Sequence, residues 1–329
     1  MPRKKLRTSV RLVVAAALLL LGGTLTACSS KASGATSDTL RVGYIGSTDK
    51  LTGTLGYLQE KNELVGQLSK LGVKKIKTYG FANGPDLNQA LASGDLDVGL
   101  YGDTPAIVAR AAGQKTRLVG QSTINLDAEI VTKKGGPSSL KELDGQTVAV
   151  AKGSYMHRYL LGALDDAKVT PEQVLNIPTA DTAAALAKGQ IAAAALPIAN
   201  AEALRAQGYP VIDGLVKDHP DYAGTSVEVV TQSYLDNHKN FVKVWQALHK
   251  HAATEAKANW SDYLTFAHTL AKFPPAIIDA TTLKDTIPVQ PLTAEGLKLL
   301  QGTQDFLVEE KLAAKPFDID DWIAPGAKP

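Results

Sequence analysis

Short apolar runs alternate with amphipathic stretches along the first two thirds of the chain. Residues 40–45 alternate in the manner of a half-buried strand, and apolar residues then recur at helical spacing from Leu55 to Leu68. The order repeats, with strands predicted at 74–79, 97–101, 147–151, 174–177 and 191–196, and helices at 85–94, 106–112, 155–167, 181–188 and 199–207. This alternation predicts an α/β fold with parallel-rich sheets covered by helices on both faces.

The pattern becomes almost entirely helical after residue 231. A core-facing stripe recurs at helical spacing and comprises Phe241, Val244, Trp245, Leu248 and Ala252. Pro274 and Pro275 then break the helical pattern. We interpret these C-terminal helices as packing elements.

About 290 residues follow residue 38, more than a single core usually serves, so the sequence predicts two lobes. We assign residues 39–122 and 231–329 to lobe I and residues 123–230 to lobe II. Hinge crossings between them are expected near Gln121–Leu126 and Ser226–Val230.

The N-terminus has the three parts of an export signal. Five basic residues lie within the first eleven positions, an unbroken apolar run spans 12–21, and small residues precede Cys28. The apolar run is shorter than the roughly 20 residues of a membrane span. Residues 29–38 are small and polar, as in a flexible tether.

The segment Leu25-Thr26-Ala27-Cys28 resembles the lipobox of bacterial lipoproteins. The resemblance implies that residues 1–27 are removed as a signal peptide and that Cys28 carries a lipid anchor at the start of a tether, residues 28–38. The protein is then expected outside the cytoplasm, anchored to the cell membrane and facing the outside or the periplasm. An ordinary buried cysteine is the alternative interpretation of Cys28.

Charge and cysteine content exclude several classes of function. The chain has 35 basic and 33 acidic residues, and residues 1–27 hold five of the bases and none of the acids. The remaining 30 bases and 33 acids are interspersed, which argues against nucleic-acid binding. Because Cys28 is the only cysteine, disulfides, thiolate catalysis and cysteine metal sites are excluded from the body.

Small or hydroxylated residues follow four predicted strands. In open α/β sheets ligands bind outside the carboxyl ends of the strands, and free N–H groups at helix N-termini attract anions. The turns therefore predict an anion site, and their residues are Ser47 and Thr48, Asn83 and Gly84, Gly102 to Thr104, and Gly153 and Ser154. The same residue types are also ordinary helix caps, which is the alternative interpretation of each turn.

Asp103 within these turns and four further positions are candidate contacts. Asp103 either caps its helix and faces away or pairs with a ligand amine. His157 either donates a hydrogen bond to the ligand or is a structural histidine. Tyr155 and Asn200 are predicted wall residues, and Thr225 is a predicted contact.

Two segments, Phe81–Gly113 and Ser139–Leu164, resemble the periplasmic solute-binding proteins of nitrate, sulfonate and taurine importers. The resemblance implies a type II periplasmic-binding-protein fold with a hinged cleft, and a monomer that delivers a small sulfonate-like or oxyanionic solute to an ABC permease with its ATPase. It implies no metal, no cofactor and no catalysis. Many sulfonate-binding relatives have Trp-Asp-Pro where this chain has Ala195-Leu196-Pro197, so we expect Ala195 to widen the pocket.

Two other functions remain open at the level of sequence. The same fold serves lipoproteins that sense or scaffold, and thiamine-pyrimidine synthases resemble it as well. Those synthases depend on cysteine-rich and histidine segments that the sequence lacks, and it contains no Gly-x-Ser-x-Gly elbow, HExxH helix or phosphate-binding loop.

Overall fold

The computed structural model of the chain describes residues 38–46 and 50–327. The predicted signal peptide, Cys28, most of the tether, Ser47 and Thr48 lie outside these residues. The strands are β1 Thr39–Ile45, β2 Lys75–Phe81, β3 Val98–Gly102, β4 Thr116–Leu126, β5 Ala128–Thr132, β6 Thr147–Val150, β7 Gln173–Asn176, β8 Ala193–Pro197, β9 Val211–Gly214 and β10 Gly224–Thr231.

The helices follow the strands closely in the first two thirds of the chain and dominate the last third. They are α1 Gly53–Glu60, α2 Leu64–Leu68, α3 Gly84–Ser93, α4 Asp103–Ala111, α5 Tyr155–Asp166, α6 Thr179–Ala187, α7 Ile198–Arg205, α8 Leu215–Asp218, α9 Gln232–Asn237, α10 Phe241–Ala258, α11 Trp260–Leu270, α12 Pro275–Thr281, α13 Ala294–Glu309 and α14 Ile319–Trp322.

The strands form two five-stranded sheets, in the orders β2-β1-β3-β10-β4 and β7-β6-β8-β5-β9. The predicted α/β fold with two lobes is confirmed. Both sheets are mixed: β2, β1 and β3 are parallel, as are β7, β6 and β8, whereas β10 is antiparallel to β3 and β4, and β5 is antiparallel to β8 and β9. The chain passes from β4 to β5 through Asp127 alone, so these strands connect the sheets without the helical crossover that a parallel pair requires.

Two local predictions also differ from the structure. The single helix expected over 55–68 is interrupted, because Asn62 adopts φ 59°, the left-handed conformation that commonly ends helices. Strands β4, β5 and β9 were not predicted, and the end of β4 occupies residues 121–126, the region interpreted as a hinge crossing.

The first sheet packs against the C-terminal helices. Trp245 of α10 and Trp322 of α14 are fully buried in its core, and the predicted stripe on α10 faces this core as expected. Helix α13 joins the two lobes, because Leu300 and Leu307 belong to the core of the first sheet and Leu299 to that of the second. The exact lobe boundaries stay a prediction. Within the described residues, no helix combines the length and apolar character needed to cross a membrane.

Candidate functional site

Three strand-to-helix turns meet at one cavity of about 960 Å³, which we call the large cavity. Two turns belong to the first sheet, residues 83–85 after β2 and 102–105 after β3. The third, residues 152–155, follows β6 of the second sheet. The large cavity therefore lies between the lobes, at the carboxyl ends of strands from both, where the fold class places ligands.

The remaining wall of the large cavity is mainly apolar. Helices α3 and α4 face it with small or branched side chains, and Leu312, which is 37% exposed, lies at its margin. Its apolar lining residues are Pro85, Ala92, Pro105, Val108, Ala109, Ala112, Ala151 and Leu312. Lys152 is the only basic side chain among the lining residues.

The helices that begin at these turns differ in how their first N–H groups are used. Asn83 caps α3, since its Oδ1 accepts a hydrogen bond from the Asp86 N–H at 2.9 Å. In the described structure neither Gly102 nor Ser154 places a side-chain acceptor on the first turn of α4 or α5, and the Ser154 hydroxyl donates instead to the Ala151 carbonyl at 2.6 Å. The first turns of α4 and α5 thus offer donors to an anion.

A second cavity of about 320 Å³, the small cavity, lies beside the first. It adjoins the start of α1 and is rich in hydroxyl groups, from Tyr44, Thr52, Thr54, Tyr101, Ser122, Thr123, Ser226 and Tyr263. Gly102 and Tyr155 line both cavities, so the two spaces adjoin at these residues.

Asp103 and Thr225, both predicted contacts, bind each other. Asp103 is 1% exposed, and its Oδ2 accepts hydrogen bonds from the Thr225 N–H at 2.8 Å and the Thr225 hydroxyl at 3.1 Å. The Thr303 hydroxyl lies 3.3 Å from the same oxygen and accepts from Arg158 at 2.9 Å. Burial raises the pKa of Asp103, against the opposing effects of Thr225 and Arg158. The Asp103 carboxylate is thus engaged by protein groups.

Two other predicted positions, His157 and Asn200, line neither cavity. His157 is buried and packs edge-on against Phe306 of α13, with 5.7 Å between ring centroids. Burial, assisted by nearby Lys152, lowers the pKa of His157 to about 4. Asn200 of α7 is half-buried and lines neither cavity.

The expectation that Ala195 widens the pocket is wrong. Ala195 is 1% exposed in β8, pairs with Ile130 and packs in the core of the second lobe. Its side chain therefore borders other core residues, and it lines neither cavity. The width of the large cavity comes instead from the small residues of α3 and α4.

Sequence reasoning missed a buried polar group beside the small cavity. Glu228 lines that cavity, accepts a hydrogen bond from Trp245 Nε1 at 2.7 Å and lies 2.9 Å from His249 Nδ1. His249 Nε2 lies 3.0 Å from the Pro288 carbonyl. Burial alone disfavours the charged ring, but Glu228 and Pro288 together raise the pKa of His249. The detectable signal was an acid within the apolar run of β10.

The described residues contain no group of three or more histidine, cysteine or acidic side chains arranged to hold a metal ion. The structure has a cleft between two α/β lobes, lined by the turns that begin α3, α4 and α5. Two sheets of this topology with such a cleft define a two-lobe solute-binding protein of the periplasmic type.

A family model described as NMT1/THI5 like matches residues 75–259, more than half of the chain. The chain belongs to this family, and the resemblance to the nitrate, sulfonate and taurine binding proteins is confirmed.

Relatives of known name agree with this class. A protein of Escherichia coli (strain K12) named for binding aliphatic sulfonates is 28% identical over 310 residues, covering 92% of this chain and 93% of the relative. The periplasmic aliphatic sulphonate binding protein SsuA from Escherichia coli has a crystal structure that matches this fold with a TM-score of 0.71. Its sequence is 26% identical, and the match covers 88% of this chain and 98% of that chain.

The SsuA protein of Xanthomonas axonopodis pv. citri, bound to MOPS, matches in fold with a TM-score of 0.70. It is 24% identical and covers 88% of this chain and 98% of its own.

Proposed function

We propose that the protein is the extracytoplasmic solute-binding component of an ABC importer. It captures a small sulfonate-like or related organic anion between its lobes and delivers the anion to a permease with its ATPase. The observation that carries the proposal is the meeting of turns from both sheets at the large cavity. The sulfonate-binding names of its relatives support the choice of ligand.

The anion is held mainly by neutral donors in this proposal. The first residues of α4 and α5 line the cavity and supply backbone N–H donors in this proposal, Ser154 lies beside them, and Lys152 adds one positive charge. One helix dipole contributes only about 0.3–1 kcal/mol at an exposed end, whereas micromolar binding needs about 8 kcal/mol. Several donors must therefore converge and exclude water, which closure of the two lobes provides.

The contacts of the ligand follow from this arrangement. We assign the anion to the turns that line the large cavity, and Ser47 and Thr48, which lie outside the described residues, stay predicted contacts. The lining residues in this assignment are Asn83, Gly84, Gly102, Thr104, Gly153, Ser154 and Tyr155. In the same assignment Asp103, Thr225 and His157 support the turns through their buried contacts, whereas Asn200, which lines neither cavity, has no assigned role.

Binding rather than catalysis is the second part of the proposal. The relatives named above are binding proteins, and the chain's only cysteine stands at the end of the predicted signal peptide. Purified protein is expected to leave every bound ligand chemically unchanged. Recovery of a converted ligand by mass spectrometry would contradict this part.

Membrane attachment through Cys28 is the third part. Replacing Cys28 by Ser should move the protein from the membrane fraction to the soluble exported fraction, since the thiol is the site of acylation. An unchanged membrane fraction would refute the anchor and leave the binding function untouched.

The main test measures thermal shifts of the purified 29–329 chain with sulfonates, taurine, nitrate, sulfate and thiamine precursors. A ligand at about 100 times its Kd stabilises by roughly 2.7 kcal/mol, which is easily detected. A shift with sulfonates supports the proposal. The absence of a thermal shift with every anion, together with a shift for a neutral or cationic compound, would overturn the proposal.

A paired variant localises the site. Gly102 has φ −63°, and a Cβ placed there meets only Pro105 Cδ, at 3.9 Å, so Gly102→Leu fits without backbone strain and projects beside both cavities. It should weaken binding at least tenfold. Gly66→Leu is the control, because its Cβ meets nothing within 4 Å and Gly66 lines neither cavity. Equal affinities of the two variants would place the ligand elsewhere.

A further inference from the structure

We propose that the ligand is an amphiphilic organic anion, with an alkyl chain of about six or more carbons or an aryl group lying in the groove between α3 and α4. This rests on the proposed function and names the substrate class of that site. A two-carbon sulfonate such as taurine would then be a poor ligand.

The size of the large cavity is the first argument. At about 960 Å³ it lies at the upper end of the 300–1,000 Å³ typical of clefts for drug-sized ligands. The groove is wide because the facing positions of α3 and α4 carry small side chains, namely Ala92, Ala109, Ala112 and Gly113. A small oxyanion would leave most of this space to water.

The second argument is that the polar side chains of Asn88 and Gln114 in the groove are bound by the protein itself, whereas that of Gln89 is exposed. Asn88 Nδ2 donates to the Pro105 carbonyl at 2.9 Å, and Asn88 Oδ1 accepts from the Tyr101 hydroxyl at 2.7 Å. Gln114 Nε2 donates to the Asn88 carbonyl at 3.0 Å. These bonds hold α3 against α4 and leave the apolar atoms of Pro105, Val108 and Leu312 to face the ligand.

The third argument is the separation of polar and apolar parts within one cavity. The helix N-termini and Lys152 lie together at the rim between the lobes, whereas Ala92 and Ala112 lie at the far ends of α3 and α4. An anionic headgroup fits the rim, and an apolar tail directed away from it runs along the groove. A ligand therefore needs both an anionic headgroup and an apolar tail to complement the polar rim and the apolar groove of the large cavity.

The experiment is isothermal titration with ethane-, butane-, octane- and decanesulfonate, each below its micellar concentration. Every methylene buried in the groove should tighten binding about fourfold. Decyltrimethylammonium is the probe for binding of a tail without an anionic head, and we expect it to bind at least tenfold more weakly than decanesulfonate.

Two matched variants test where the tail lies. Ala112 ends α4 and lines the groove, whereas Ala206 ends α7 and lines neither cavity, and both alanines are exposed. Ala112→Phe should weaken octanesulfonate binding at least tenfold while changing ethanesulfonate binding less than twofold. Ala206→Phe should change neither.

The outcomes separate this inference from the proposed function. Tight binding of ethanesulfonate with no gain from longer chains would overturn the inference and leave sulfonate binding intact. The inference would also be overturned if affinity rose with chain length equally in Ala112→Phe and in the unmodified protein. Equal affinities for decyltrimethylammonium and decanesulfonate would overturn it as well. Failure of every sulfonate to bind would overturn the proposed function itself.

Discussion

The Oδ2 atom of Asp103 accepts two hydrogen bonds from Thr225, from its N–H at 2.8 Å and its hydroxyl at 3.1 Å. Asp103 begins α4 of the first lobe, and Thr225 lies in β10, just after the chain returns from the second sheet. Thr303 of α13 and Arg158 of α5 extend this contact into the second lobe. The carboxylate thus links the elements that hold the two lobes together.

Replacing Asp103 by Ala should lower the free energy of unfolding by about 1–3 kcal/mol, because it leaves buried donors of Thr225 without an acceptor. Urea unfolding measures the loss. Asp305→Ala is the control, since Asp305 is exposed on α13 and contacts Gln301. Equal stabilities of the two variants would show that the buried contact contributes nothing.

The sequence pattern predicted most of the fold because strands and helices of α/β units bury continuous apolar runs. It did not predict strands β4, β5 and β9; residues 121–126, interpreted as a hinge crossing, form the end of β4, which continues the first sheet. Periodicity reports which face of a segment is buried, but it carries no information on the strand that pairs with it. The antiparallel partners β10 and β5 therefore required the structure.

The site was predictable only in part. The turns at Asn83, Gly102 and Gly153 meet at one cavity, because the carboxyl ends of parallel strands share a sheet edge. The side chains of Asp103, His157 and Ala195 are buried among protein groups instead of contacting a ligand. The sequence could not predict this, because the direction of a side chain depends on how helices and sheets pack. The contact between Glu228 and His249, 21 residues apart, was not predictable from local sequence, although Glu228 alone is detectable as an acid within an apolar run.

His157 should make the protein sensitive to acid. Its pKa in the fold is about 4, below the ordinary value of 6.5, so between these two pH values the unfolded chain binds a proton that the folded chain does not. Stability then falls as pH decreases through this window, by at most about 3 kcal/mol.

His157→Phe should remove that loss while preserving the contact with Phe306. Urea unfolding at pH 4.5 and 6.5 compares the two proteins, with His268→Phe on α11 as the control. An equal loss in His157→Phe and in the unmodified protein would contradict the prediction. Ligand titration of the same variant tests its role in binding, because loss of affinity would make His157 a ligand donor.

His249 should make the folded protein less stable as pH rises, the opposite of the effect of His157. Both of its ring nitrogens face acceptors, Glu228 and the Pro288 carbonyl, so the folded state favours the doubly protonated ring. Because its pKa is raised in the fold, its contribution to stability is fully present below about pH 6.5 and is lost as pH rises through the folded pKa.

For one proton the slope is at most about 1.4 kcal/mol per pH unit. His249→Gln should lower stability at pH 6 and should flatten the decline between pH 6.5 and 8.5 that the unmodified protein shows. Urea unfolding across this range measures both effects. A decline of the same slope in the variant would assign it to other groups.

Tyr155 connects the ligand cavities to both chain crossings between the lobes. Its ring lines the large and small cavities, and its hydroxyl donates to the carbonyl of Asp127, the single residue between β4 and β5, at 3.1 Å. A Cβ placed on Gly224, at the start of β10, would lie 2.4 Å from Tyr155 Cβ, so the backbone of Gly224 is in close contact with Tyr155. Movement of Tyr155 on ligand binding would therefore be transmitted to the crossings.

Tyr155→Ala should merge the two cavities and weaken ligand binding at least tenfold, because the ring no longer separates them. Tyr155→Phe keeps the ring and loses one hydrogen bond, so it should cost about 1 kcal/mol of stability with a smaller loss of affinity. Titration and urea unfolding of both variants measure these effects, with the exposed Tyr79→Ala as the control. If Tyr155→Phe weakened binding as much as Tyr155→Ala, the hydroxyl contact with Asp127 rather than the ring would be the feature that binding requires.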